Sequence, residues 1–266
     1  AEIGLWSELH TYSGGLGVLA GDHVKSAADA EVPLVGITLL YREGYGRQHL
    51  DEKGIQTESY AQIDPANHLI DTGIELALPL DGSKILSRVW RADIEGITGH
   101  VVPVYFLDTQ HPQNSEAHQR LGSRLYGGDD SVRVRQEYLL GVGGIKLLSL
   151  LQKEITGLHL NEGHCTFALL EMLNHGWSRD DLSKRVLFTT HTPVPAGHDR
   201  FEWEDVEAVL SELIPKDARN LMIAAGDPEE GRRFSMSHLA VALSGQVNAV
   251  SNLNAWVASS MFANQH

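Results

Sequence analysis

Short apolar runs rich in branched side chains, separated by stretches of helical spacing, constrain this chain more than any other feature. Pro33–Tyr41, Val101–Leu107, Ile155–Leu160 and Arg185–Thr189 read as strands, and Val247–Val250 as a shorter one. Nearly continuous apolar runs suit strands covered on both faces, and their alternation with helices predicts a mainly parallel sheet with helices on both sides. Helical spacing falls at residues 16–30, 115–125, 131–151, 164–175, 204–213 and 235–245. In the third of these, Val134, Tyr138 and Val142 stand at i, i+4 and i+8, forming one stripe. Gly141, Gly143 and Gly144 interrupt that helix. Each costs about 1 kcal/mol relative to Ala, which predicts tight helix–sheet packing at that level.

Residues 42–100 read differently. Ile74–Leu78 and Ser87–Trp90 are short alternating segments on either side of an Asp-Gly turn, which predicts antiparallel hairpins inserted beside the parallel sheet. No stretch rich in Pro, Gly or Ser divides the chain, so residues 1–266 are expected to form a single domain.

Charge and composition exclude several classes. A formal net charge of −14 argues against a nucleic-acid surface, where basic patches carry most of the affinity. With 42% hydrophobic and 21% charged residues there is enough apolar material for a sizeable core. No run of eighteen apolar residues exists, so no membrane span is expected. The single Cys165 excludes an internal disulfide, which fits a reducing, cytoplasmic compartment. The Ala1–Trp6 start lacks both a signal-peptide pattern and an initiator methionine, and reads as part of a longer chain.

Three motifs carry the chemistry. Tyr12–Ser26 holds Gly14, Gly15, Gly17 and Gly21 where the chain turns helical. Such a loop lets backbone N–H groups approach an anion, and the helix start adds its positive dipole end. It has neither the Lys-Ser/Thr pair of a Walker A loop nor the GxGxxG spacing of a dinucleotide site. The second motif, Leu158–Phe167, and the third, Leu187–Phe201, each follow a predicted strand. Their polar residues therefore fall at the carboxyl ends of the strands, where open α/β sheets bind ligands. Asn161, Glu162, His164, His191 and Thr192 offer amide, carboxylate, imidazole and hydroxyl groups suited to sugar hydroxyls.

In this order and at these separations, the motifs resemble the N-terminal half of an α-glucan phosphorylase of the short prokaryotic form. The resemblance runs from Glu2 to about Ser251 and takes in Leu39–Gln48, Val132–Tyr138 and Val247–Ser251. It implies the N-terminal Rossmann-like domain of a GT-B glycosyltransferase. The implied reaction is phosphorolysis of a terminal α-1,4-linked glucose of a glucan by inorganic phosphate, giving glucose 1-phosphate with retention. The resemblance implies that His191 borders the transferred glucosyl unit. It further implies that Gly14, Gly15 and Leu16 lie against the substrate and cofactor phosphates, and that Asn161, Glu162, His164 and Thr192 line the crevice. Pyridoxal phosphate is the implied cofactor, on a lysine in a C-terminal domain outside residues 1–266, so this piece alone is expected to be inactive. Many members of the family are dimers, so a homodimer is among the implied assemblies.

Two departures from the family pattern stand out. Leu253-Asn254 replaces the usual Leu-His, and Glu2-Ile3-Gly4-Leu5 replaces Glu-Phe-Gly-Leu. Two other readings compete. One is a non-catalytic half-protein that binds glucan or a partner. The other is a metal-dependent hydrolase using His159, Glu162 and His164, or His191, His198 and Asp199, although no HExxH helix exists and no metal is expected.

Overall fold

A computed structural model describes residues 2–210, 222–223 and 233–263. The chain divides into two compact units, residues 1–132 and 133–266, and each has its own sheet.

The first unit runs α1 (Gly15–Asp29), β1 (Gly36–Leu39), β2 (Arg47–Leu50), β3 (Gln56–Ser59), β4 (Ile70–Leu80), β5 (Ser83–Glu95), β6 (Val101–Asp108) and α2 (Glu116–Arg120). Its main sheet has the order β1-β6-β5-β4. Only β1 and β6 are parallel, while β5 is antiparallel to both β6 and β4. The expectation of a mainly parallel sheet with inserted hairpins is therefore corrected here. The hairpin strands are members of the main sheet, and only β2 and β3 form a separate exposed pair. The reason is local: Asp81 and Gly82, with φ of 52° and 69°, form a two-residue connection that pairs Leu80 with Ser83. Two successive positive φ values match the twist of an antiparallel hairpin. Helix α1 packs on β5 and β6, burying Val24, Ala27 and Ala28 among Ile3, Leu9, Trp90, Val104 and Phe106. At the end of β6 the fully buried Asp108 accepts hydrogen bonds from Arg42 (2.7 Å to Nη2) and from the Trp90 indole (3.0 Å). A buried carboxylate matched in this way avoids the penalty of an unpaired charge.

The second unit runs α3 (Asp130–Leu150, beginning at the unit boundary), β7 (Leu158–Asn161), α4 (Phe167–Asn174), α5 (Arg179–Arg185), β8 (Val186–Thr190), β9 (Arg200–Glu202), α6 (Trp203–Leu210), β10 (Arg233–Ser235), α7 (Met236–Leu243), β11 (Gln246–Ala249) and α8 (Asn252–Met261). Its three-stranded sheet, ordered β11-β8-β7, is wholly parallel, as the apolar runs predict. Val134, Tyr138 and Val142 are buried along α3. A Cβ on Gly141 would stand 2.6 Å from the backbone nitrogen of Ala168. The glycine therefore admits the start of another helix, α4, where helix–sheet packing was expected.

Several boundaries moved. The strand expected at 33–41 covers only 36–39: Pro33 has no N–H for a ladder, and the Leu34 N–H turns back to the Val32 carbonyl at 2.8 Å. The strand expected at 155–160 begins after Gly157. The helix expected at 115–125 stops at Arg120, ahead of Gly122, whose added Cβ would meet the Thr109 hydroxyl at 2.7 Å. Residues 163–165 form a 3-10 turn before α4. Residues 211–213 of the helix expected at 204–213 lie outside the described residues.

Candidate functional site

The glycine motif opens α1, with Gly14 as an N-cap that supplies no side-chain cap. Its four glycines fall into two classes. A Cβ on Gly21 would stand 2.0 Å from the Gly4 carbonyl oxygen, and one on Gly17 would stand 2.4 Å from Tyr12 Cβ. Those two positions admit neighbouring chain. Gly14 and Gly15 are exposed, and a Cβ there would meet nothing within 4 Å. Packing does not explain them.

Beneath the loop lies the buried Glu2. Its carboxylate accepts hydrogen bonds from the Ser13 N–H (2.9 Å), the Ser13 hydroxyl (2.8 Å), the Gly14 N–H (3.3 Å) and the Tyr126 hydroxyl. The Gly14 amide is thus committed to Glu2. The first-turn amides of Gly15 and Leu16 have no intrahelical acceptor, and the N-cap supplies no side chain to them.

Burial pushes the Glu2 carboxyl up, but the bonds from Tyr126, Ser13 and Gly14 outweigh it and hold the group below its ordinary 4.5. A depressed folded value contributes stability that is fully present above the unfolded value and lost as the pH falls through the folded one. The first unit should therefore lose stability on acidification below about pH 4.5, and Glu2→Gln should flatten that loss. Melting curves of both proteins between pH 3 and 6 read the difference, and identical pH dependence would contradict it.

In the second unit, the carboxyl ends of β7 and β8 bring Asn161, Glu162, His191 and Thr192 together. The His191 ring Nε2 lies 2.6 Å from Asn161 Oδ1, so Nε2 carries the proton. Glu162 is buried, and its Oε2 accepts from the His191 N–H (2.8 Å), the Thr192 N–H (3.0 Å) and the Thr192 hydroxyl (3.0 Å). Its Oε1 accepts from the Gly163 N–H (3.2 Å). Glu162 itself has φ 68° and ψ 175°, a region almost reserved for glycine that costs on the order of 1–3 kcal/mol. On the far side of the turn, His198 donates from Nε2 to the Thr192 carbonyl (3.1 Å), and its Nδ1 accepts from the Ser237 hydroxyl (2.8 Å). Asn254, in the first turn of α8, donates to the His191 carbonyl (3.1 Å).

His164 was expected at the crevice, and the structure places it elsewhere. It is buried, with Nδ1 3.1 Å from Asp199 Oδ2 and 3.9 Å from Glu137 Oε1. Arg133 stands 2.7 Å from the same Asp199 oxygen. The 3-10 turn at 163–165 sends the imidazole towards α3. Burial pushes the Glu137 carboxyl well up, reinforced by the Asp199 charge. Burial also pushes Asp199 up, but the His164 hydrogen bond and Arg133 charge outweigh it and hold its carboxyl well below the usual range. Burial lowers the His164 imidazole.

Among the described residues, Glu137, His164 and Asp199 form the one group of potential metal ligands within 4.8 Å of one another. The Arg133 guanidinium already supplies positive charge there, so the set is a poor fit to a divalent cation. The groupings that suggested a metal in the sequence do not form such a set among the described residues. His159 instead joins a polar row across the sheet, with Nε2 2.7 Å from Thr189 Oγ1, which in turn donates to Asn248 Oδ1 at 2.5 Å. Burial pushes the Cys165 thiol up to about 12, which leaves it a poor nucleophile.

A cavity of about 380 Å³ lies in the second unit between α8 and the ends of β8 and β11, walled by Val241, Val247, Ala258 and Phe262. Thr190, Asn248 and Ser259 add polar groups to its lining, which does not include the Asn161–His191 pair.

No family model matches the chain. Maltodextrin phosphorylase of Thermococcus litoralis is 36% identical over 276 residues, covering 98% of this chain. Glycogen phosphorylases of Mycobacterium tuberculosis and Aquifex aeolicus are 36% and 30% identical, again over 98% of the chain. The chain is homologous to maltodextrin and glycogen phosphorylases. It spans about a third of the length of these phosphorylases, from 32% to 40%. The phosphorylase likeness thus takes in both units. Among the described residues no helix is long and apolar enough to cross a membrane.

Sequence reasoning missed three residues of these sites. Asn254 stood out only as a departure from the phosphorylase pattern, yet it holds the His191 carbonyl. Glu2 and Tyr126 support the glycine loop from far along the chain, and no local spacing signals that contact.

Proposed function

We propose that this chain is the N-terminal, Rossmann-like part of a GT-B α-glucan phosphorylase. The observation that carries the reading is the turn after β8. There His191 is held by Asn161 at the carboxyl ends of parallel strands, in a chain homologous to phosphorylases throughout. On this reading residues 1–266 act as one N-terminal domain. The protein is cytoplasmic, its substrates are an α-1,4-glucan and inorganic phosphate, and a homodimer is its assembly.

In the reaction the bond between C1 of the terminal glucose and the glycosidic oxygen breaks. A phosphate oxygen bonds to C1 with retention, and the leaving glucan oxygen takes the proton that the inorganic phosphate gives up. His191, Asn161 and Thr192 hydrogen-bond the terminal glucose and fix its orientation, which is where positioning lowers the barrier. The Gly15 and Leu16 amides, in a first turn with no side-chain cap, fit a phosphate, either the substrate's or that of pyridoxal phosphate. Pyridoxal phosphate, when bound, supplies a phosphate group for proton transfer and is held on a lysine outside residues 1–266. Residues 1–266 alone therefore release no glucose 1-phosphate.

The test is an assay of the whole protein with maltodextrin or glycogen and inorganic phosphate. Release of glucose 1-phosphate is expected, and His191→Ala should lower kcat/KM by about 10²–10³-fold with the melting temperature unchanged. Absence of phosphate-dependent release by the whole protein would overturn the reading.

A further inference from the structure

We propose that Glu162 is a positioning residue that sets the site through the backbone of the turn after β8, and that it makes no contact with sugar. This rests on the proposed function only for its catalytic consequence. The carboxylate is 3% exposed and has four donors around it, from Gly163, His191, Thr192 N–H and Thr192 hydroxyl. Three converge on Oε2 and one reaches Oε1, so the acceptor capacity facing the turn is taken up by the protein itself.

The arrangement explains why the chain leaves the sheet where it does. Thr190 still pairs with Ala249, and Thr189 with Asn161. The next two N–H groups turn to the Glu162 carboxylate instead of to a neighbouring strand. A carboxylate acceptor makes these bonds roughly twice as strong as neutral ones. The same residue also explains its own backbone. A glutamate at φ 68° is strained where glycine is not, and such conformations persist when the surroundings over-determine them. Here the side chain supplies the over-determination, since glycine could take the backbone but could not hold the turn. One residue earlier, Asn161 meets the imidazole of that same turn at 2.6 Å. Consecutive residues at the end of β7 thus hold the His191 backbone and the His191 ring. Loss of Glu162 would leave Asn161 facing a ring with no fixed position.

The experiment compares the protein with Glu162→Ala, Glu162→Gly and Glu162→Gln by amide hydrogen exchange and by 15N spectra of the histidine rings. In Glu162→Ala the His191 and Thr192 amides should exchange at least tenfold faster while those of Leu160 and Phe188 keep their rates. The His191 Nε2–H signal should also broaden or vanish. Glu162→Gly should show the same loss despite its relaxed backbone, and Glu162→Gln, which keeps an acceptor oxygen, should recover part of the protection. Unchanged His191 amide and ring signals in a folded Glu162→Ala protein would overturn the proposal, as would a uniform loss of protection across the sheet. Should Glu162→Ala not fold, Thr192→Val removes one of the donors and must reproduce the His191 signature at smaller amplitude, or the proposal fails. These readouts need no turnover. In an active protein kcat should fall more than KM rises. If the phosphorylase reading alone were mistaken, no variant would release glucose 1-phosphate, yet the exchange pattern would still separate the variants.

Discussion

Gly21→Ala should unfold the first unit at a temperature lower by on the order of 10 °C, for a loss of about 3 kcal/mol. The new methyl would stand 2.0 Å from the carbonyl oxygen of Gly4 and 2.7 Å from its carbonyl carbon. Both are backbone atoms, so no side chain can rotate out of the way. The segment carrying Gly4 cannot slide either, because the Gly4 N–H donates to Gly17 O at 2.8 Å and the Ile3 N–H to Thr11 O at 3.2 Å. Ile3, Leu5 and Leu9 on the same segment are buried in the core with α1. Relief therefore means separating α1 from residues 2–9 and exposing that contact. Thermal unfolding by circular dichroism measures the effect, and a shift below about 2 °C would show that the segment accommodates the methyl group.

Gly15→Val should do the reverse: the fold survives and the activity falls. Gly15 is the first residue of α1, and a Cβ there meets nothing within 4 Å. Replacing glycine also lowers the freedom of the unfolded chain, so stability should stay within about 1 kcal/mol of the parent. The side chain would stand over the amides left to a ligand once Glu2 has taken Gly14. Under the proposed function, phosphate-dependent release of glucose 1-phosphate should fall by roughly 100-fold, the scale of losing a charge-stabilising donor. Isothermal titration with inorganic phosphate should show weakened binding in parallel. A fully active Gly15→Val protein would remove the loop from the site. The two variants, six residues apart in the same motif, thus separate glycines that admit neighbouring chain from glycines that admit a ligand.

The strands β6, β8 and β11 were legible because apolar branched runs leave few alternatives, and α1 and α3 because their length and spacing do. The main misreading concerned which sheet each strand joins. Ile74–Leu78 and Ser87–Trp90 were recognisable as a hairpin, but alternation in one strand does not say whether its neighbour is another hairpin or β6. Two short helices went unseen. For α5, the capping box formed by Ser178 and Asp181 was present in the sequence. For α8, the cap was Ser251, at the end of a motif read as a strand.

At the site, residue types and their strand-end placement identified Asn161, His191 and Thr192 as neighbours. The roles of Glu162 and His164 were not legible, because both depend on where a side chain turns within one 3-10 turn. A glutamate in a left-handed backbone has no signature in sequence, since glycine is the residue that normally announces one.

The connectivity of the first sheet also sets the order in which it can form. Strands β4, β5 and β6 follow one another through tight turns, so their pairings close small loops at little entropic cost. The β1–β6 pairing closes a far longer loop, which predicts that it forms after the hairpin pairings. During that interval β6 presents an unpaired edge carrying Val104, Tyr105 and Phe106, a template for another chain. On that order the folding chain should be most open to aggregation at β6, until β1 pairs and closes that edge.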